Sequence, residues 1–294
     1  MKLPPFAVHR PRSVKEASRL LVDLGDDAAA YCGGTELLLA MKLGLANYAH
    51  LVDLKSVVGL RAIARQGDSL RIGAAATHDE METSPELRAW CPEMAAMHSA
   101  LANLRVRSVG TLGGNLCFAD PHSDPMTFLI AAGASILCQK REDSRRIPAA
   151  EFLTGPYQTA LEHGELLVAV DLPARPAATG FAHVRMKLHE RPVVTVAAMV
   201  QLSQDAVSQA RLVVGSVGSV PVSAEAAGLL AGASAGDFGN RADHCAWQTA
   251  LACEPMPDGD CSPEYLRQLV HVHSRRALTA AYSAALDHSQ DPVS

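Results

Sequence analysis

The first fifty-odd residues alternate between two kinds of apolar pattern. SVKEASRLLVDLG (13–25) has helical spacing, with Ser13 as N-cap, Glu16 completing a capping box and Gly25 as the stop. AAAYC (28–32) is a short apolar run that predicts a buried strand, ELLLAMKLG (36–44) a helix stopped by Gly44, and HLVDL (50–54) a returning strand. These elements make a small α/β unit whose strand-to-helix corner is Gly33-Gly34. In LRAIARQGDSLRIGAAA (60–76) apolar residues alternate on both sides of Gly67-Asp68, which predicts a hairpin. Helix follows, opened by a Thr77–Glu80 capping box and resumed after Ser84-Pro85 and Pro92.

The glycine corner poses a chemical question. Two adjacent glycines between strand and helix mark either a bare turn or a place where a ligand's phosphates lie on main-chain N–H groups. A second such loop occurs in VRSVGTLGGNLCFADPHSDPMTFLIAAGA (106–134), where Gly113-Gly114 sits between strand-like runs, flanked by Thr111 and Asn115. Asp124-Pro125 has the form of an N-cap and first helical residue, and that helix ends at Gly133. Either loop alone reads as a turn, and Asp124 alone as a cap. Two loops of glycine pairs with small polar neighbours are better explained by an extended diphosphate ligand.

PARPAATG (173–180) reads as a linker. Beyond it FAHVRMKL, VVTVAAMVQL and ARLVVGSVGSVPV predict three strands, and three later segments, SAEAAGLLAG, RADHCAWQTALAC and SPEYLRQLVHVHSRRALTAAYSAAL, predict helices. GSVGS (215–219) lacks the Lys and Ser/Thr that complete a P-loop and reads as a strand-end turn. At 294 residues, 48% hydrophobic and 19% charged with net charge -5, the chain can build sizeable cores and offers no basic footprint for nucleic acid. Its seven cysteines show no C-x-x-C, which together with the absence of a leader pattern in MKLPPFAVHRP predicts a reducing, cytoplasmic setting. Cys245, Cys253 and Cys261 are spaced eight apart, unlike cluster ligands, and His271 and His273 would face different ways on a helix. No metal site and no catalytic side chain is expected, and no apolar run is long enough to span a membrane.

YCGGTELLLAMK and TLGGNLCFADPHSDP resemble the two FAD-pyrophosphate loops of the FAD-binding (medium) subunit of molybdenum hydroxylases, the family that includes xanthine dehydrogenase, carbon monoxide dehydrogenase and 4-hydroxybenzoyl-CoA reductase. The likeness runs from MKLPPFAVHRPRSVKEA through ELLVAVDLP (165–173) and FAHVRMKLHERPVVTVAA (181–198) into the C-terminal region. It implies an α+β fold: a two-subdomain FAD-binding fold of the PCMH type (1–57 and 58–175), then a C-terminal α+β domain (176–288) with a three-stranded antiparallel sheet and helices. It also implies cofactor contacts. The first loop, Tyr31, Cys32, Gly33, Gly34, Thr35, Glu36 and Leu37, would wrap the diphosphate, and Thr111, Leu112, Gly113, Gly114 and Asn115 would hold its other side. Asp124 matches an aspartate that binds ribityl or ribose hydroxyls, and Leu101 and Leu167 match apolar contacts. Lys187 matches a lysine near the isoalloxazine, a place Arg185 could hold instead because the chain is shorter there than its relatives.

Two departures from the family pattern matter. No cysteine-bearing insertion follows the second loop, so no iron–sulfur cluster is expected here, and no histidine follows Gly33-Gly34, which favours non-covalent FAD. The resemblance implies an electron-transfer subunit: a large molybdopterin-binding subunit would hold the molybdenum cofactor, a small subunit the [2Fe–2S] clusters, and flavin would pass electrons to NAD, oxygen or another acceptor. The assembly implied is a dimer of heterotrimers. Alternatives are a stand-alone flavin reductase or oxidase of the same superfamily and a non-redox nucleotide-binding subunit. A flavin spectrum distinguishes the second, and co-purifying subunits the first.

Overall fold

The computed structural model describes residues 2–188, 191–256 and 261–290. In chain order the elements are β1 (Ala7–His9), α1 (Val14–Leu24), β2 (Ala28–Tyr31), α2 (Leu37–Leu43), β3 (His50–Asp53), β4 (Ile63–Gln66), β5 (Ser69–Gly73), α3 (His78–Thr83), α4 (Pro85–Trp90), α5 (Pro92–Ser99), α6 (Leu104–Arg107), α7 (Leu112–Phe118) and α8 (Asp124–Ala132). They continue with β6 (Ser135–Lys140), β7 (Asp143–Pro148), α9 (Ala149–Phe152), β8 (Leu153–Gly155), β9 (Gln158–Thr159), β10 (Leu166–Pro173), β11 (Thr179–Leu188), β12 (Arg191–Ser203), β13 (Ala206–Gly215), β14 (Val222–Ser223), α10 (Phe238–Ala252) and α11 (Pro263–Gln290). Contacts divide them into two compact units, one of Met1–Asp120 with Ala134–Pro173, the other of Pro121–Gly133 with Ala174–Ser294.

The first unit holds a parallel sheet in the order β1-β3-β2 and an antiparallel one in the order β4-β5-β10-β6-β7. Local signals set many of its boundaries. Ser13 Oγ accepts the Glu16 N–H at 3.2 Å, while Glu16 returns its bond to Arg12 N, one residue before the cap, so the expected box is displaced by one position. The Thr77–Glu80 box closes in both directions, and Gly25 and Gly44 end their helices at φ 60° and 75°. Such a cap contributes about 1 kcal/mol. Ala17, Val52, Leu54, Leu60, Leu166 and Val168 pack as one cluster, which ties α1 and the parallel sheet to β10.

One expectation fails here. The Gly113-Gly114 segment is not flanked by strands, because Thr111 caps a helix that runs to Phe118. Its apolar residues Leu112 and Leu116 are four apart, and both are buried on one face.

The second unit is an antiparallel sheet in the order β11-β12-β13-β14, covered by α8 and α11, with α10 packed on α11. The expected three strands are present, with the two-residue β14 added at the edge. SAEAAGLLAG forms a 3₁₀ segment, Glu225–Leu230, rather than an α-helix. Helix α8 is buried along all nine residues, and Gly133 ends it at φ 71°. Its N-cap is Ser123, so Asp124 does not cap but begins the first turn, which frees its carboxylate for other partners. Val194, Val196, Val200, Leu212, Val270 and Leu278 anchor the core, and Phe238 stacks on Tyr282 at 3.9 Å between ring centroids. Cys245 lies in this core, where burial pushes its thiol up to about 11. His271 pairs with Asp243 at 3.1 Å, whereas the buried His273 bonds the Leu269 carbonyl, so the two histidines do face apart.

Candidate functional site

The first glycine loop leaves the carboxyl end of β2, where β2–α2–β3 forms a parallel crossover, the end of a parallel sheet at which ligands are bound. Its two glycines are needed for different reasons. A Cβ on Gly33 would collide with the Val109 carbonyl oxygen and lie 2.9 Å from Gly110 Cα, so the approach of the second loop's own backbone excludes any side chain. Gly34 has φ 71° and lies against the Tyr31 ring. Leu38 N–H donates to Gly34 O at 3.1 Å and Ala40 N–H to Glu36 O at 2.8 Å. Among the described residues, the N–H groups of Gly33, Gly34, Thr35 and Leu37 donate to no protein acceptor. Burial raises the Cys32 thiol, an effect opposed by its hydrogen bond to Thr111, which links the two loops.

The second loop is built differently. Leu112 N donates to Ala76 O at 3.0 Å, Gly113 N to Ala74 O at 2.8 Å, Gly114 N to Thr111 Oγ1 at 3.1 Å and Asn115 N to Thr111 O at 2.9 Å. Gly113 is required because a Cβ there would sit 2.7 Å from Ala74 Cβ and 2.8 Å from Ala74 O. Amides 112–115 therefore all have acceptors within the protein, in the helix cap and in the contact with residues 74–76. The buried Leu101 accepts a hydrogen bond at its carbonyl from Arg107, and the buried Leu167 lies on β10 beside a bulge.

Asp124, Arg185 and Lys187 belong to the second unit. The Asp124 side chain is 2% exposed and its Oδ2 accepts from Arg185 Nη1 at 2.6 Å. His183 Nε2 lies 3.5 Å from Asp124 Oδ1 and 3.3 Å from Thr195 Oγ1. Burial holds His183 down at about 4, with Asp124 pulling it up and Arg185 pushing it down, so the ring is neutral at pH 7 and Arg185 supplies the positive charge. Arg185 thus faces Asp124. Lys187 is half-buried at a bulge in the β11–β12 pairing, and the neighbouring His189 and Glu190 of the sequence motif lie outside the described residues.

Residues 4–175 match the family model described as the FAD binding domain in molybdopterin dehydrogenase. The chain belongs to that family of FAD-binding subunits of molybdenum hydroxylases. The carbon monoxide dehydrogenase medium chain of Hydrogenophaga pseudoflava is 32% identical over 95% of this chain and 98% of its own. The nicotine 6-hydroxylase medium subunit of Paenarthrobacter nicotinovorans is 29% identical over 96% and 99%. Among solved structures, the H. pseudoflava carbon monoxide dehydrogenase lacking the Mo-pyranopterin moiety of its molybdenum cofactor superposes with TM-score 0.92, covering 97% of this chain and 99% of that one. Quinoline 2-oxidoreductase from Pseudomonas putida 86 gives TM-score 0.89 at 28% identity, covering 98% and 100%.

The residues of this FAD-binding subunit fit their cofactor at the first loop. A diphosphate needs N–H donors without protein partners, and four are grouped there on five consecutive residues. Two features of the FAD-binding subunit escaped the sequence reading. Lys55 is placed beside Tyr31 and Cys32 by the β2–β3 pairing, and His183 beside Asp124 by the packing of α8 on the C-terminal sheet. Neither has a local sequence signal, since the partners are more than twenty residues away.

Proposed function

We propose that the subunit binds about one FAD non-covalently and carries electrons. It would take them from [2Fe–2S] clusters of a small subunit and pass them to NAD, oxygen or another acceptor, while a large subunit holds the molybdenum cofactor. The observation that carries the reading is the set of unpartnered amides at Gly33, Gly34, Thr35 and Leu37, in a chain similar from end to end to medium subunits of molybdenum enzymes. When bound, flavin supplies the exchange between single-electron and paired-electron transfer.

In this reading Tyr31 to Leu37 wrap the diphosphate. Thr111 to Asn115 hold its other side, and the Gly33–Val109 contact and the Cys32–Thr111 bond join the two segments. Leu101 and Leu167 supply apolar walls, Asp124 meets the cofactor's hydroxyls, and Lys187 is the cation for the isoalloxazine, a place that Arg185, paired with Asp124, could hold instead. The first unit divides near residue 57, between its parallel and antiparallel sheets, and the complete enzyme is a cytoplasmic dimer of heterotrimers.

The test is direct. The chain expressed alone should show a flavin spectrum with about one FAD released by acid precipitation, and no stoichiometric iron or molybdenum. Purified from its native host, it should co-purify with a large and a small subunit. A colourless protein that takes up no FAD would refute the assignment.

A further inference from the structure

We propose that Lys55 is a positioning residue for the first glycine loop, fixing the conformation that turns its amides outward. The inference rests on the reading of that loop as the diphosphate site. Lys55 follows β3 in a 3₁₀ turn, Leu54–Ser56. Asp53, which is buried, holds it twice, accepting the Lys55 backbone N–H at 3.1 Å and lying 3.0 Å from Nζ. From there Nζ sits 4.0 Å from the centroid of the Tyr31 ring and donates to the Cys32 carbonyl at 3.4 Å. Tyr31 is the cross-strand partner of Asp53, and its ring is the nearest group to the open face of Gly34.

A chain of contacts therefore runs from a carboxylate through an ammonium and an aromatic face to the glycine at positive φ. Lysine suits the place because it has three donors and no acceptor, here directed to a carboxylate, a carbonyl and a π-face. Its side chain is 48% exposed, so its ion pair with Asp53 adds little to folding. Its effect is local to residues 31–34, which carry two of the unpartnered amides.

FAD binding to the purified chain, followed by flavin fluorescence with ADP as a competitor, tests this in Lys55→Met, Tyr31→Leu and the double variant. Lys55→Met should weaken FAD about fivefold to tenfold, the scale of one charge-assisted contact, and weaken ADP by the same factor, while the melting temperature of the FAD-free chain stays within about 2 °C. If Lys55 acts through Tyr31, the double variant should bind no worse than Tyr31→Leu alone. Unchanged FAD affinity in Lys55→Met, unchanged ADP affinity, or losses that multiply in the double variant would each overturn the role of Lys55. A wild-type chain that binds neither FAD nor ADP would instead overturn the diphosphate site itself.

Discussion

Removing Arg185 should do more damage to the second unit than removing both members of its ion pair. Arg185→Met strands the Asp124 carboxylate among buried groups with, among the described residues, only a neutral histidine beside it. Unit charges about 4 Å apart attract by about 4 kcal/mol at an effective dielectric constant of 20, and breaking one partner of a buried pair typically costs 3–5 kcal/mol. Screening discounts this little, because the two side chains are 15% and 2% exposed. Arg185→Met should therefore lose about 3 kcal/mol, Asp124→Leu a comparable amount, and the double variant at most about 1 kcal/mol, a coupling of several kcal/mol. Urea unfolding followed by the fluorescence of Trp247, which lies on α10 of this unit, measures it in a Trp90→Phe background, since Trp90 lies on α4 of the first unit. A single-variant loss below about 1 kcal/mol, or strictly additive losses, would refute the buried-pair argument. The result also bears on redox experiments, since any change of flavin potential in Arg185→Met must first be separated from collapse around Asp124.

Gly33→Val should abolish FAD binding, because its side chain meets the Val109 carbonyl, whereas Gly114→Ala should keep most of it and lose about 1 kcal/mol by disturbing the Thr111 cap; acid-released FAD per chain reads both. His78 and His183 are both held down at about 4 by burial, His78 further by Arg107. Their unfolded forms take up protons first, so stability should be full above about pH 6.5 and fall as pH drops towards 4, by up to about 3 kcal/mol for each histidine. Denaturant titrations at several pH values check this, and a flat profile over that range would contradict it. Lys187→Met should retain FAD and lower the two-electron midpoint by about 30 mV for each ~1.4 kcal/mol of lost stabilisation, as read by a redox-dye titration.

What the sequence made legible was local. Ser13, Thr77, Ser84 and the glycines at 25, 44 and 133 each fix a boundary through a bond to a backbone group a few residues away, and the Gly67-Asp68 hairpin follows from alternation on both sides. The α7 helix was hidden because two glycines of poor helix propensity follow its cap, so that Thr111 looks like a loop residue. The glycine pairs stand out in the sequence, but the cause at Gly33 is another stretch of backbone 76 residues away, which no spacing rule contains. The same holds for Asp124, whose form suggests a cap and whose partner is Arg185 on β11.

The route of the chain has a consequence for how such subunits can be recombined. Residues 121–133 leave the first unit, bury α8 against the C-terminal sheet and return, so the chain passes between units three times rather than once. The family match ends at residue 175, which looks like a convenient breakpoint for grafting one relative's cofactor region onto another's C-terminal domain. A chimaera joined there inherits α8 from one parent and the strands beneath it from the other, setting Asp124 and Thr127 against an unmatched Arg185 and Gly215. A working graft has to carry residues 121–133 with the C-terminal part, as a two-piece transplant.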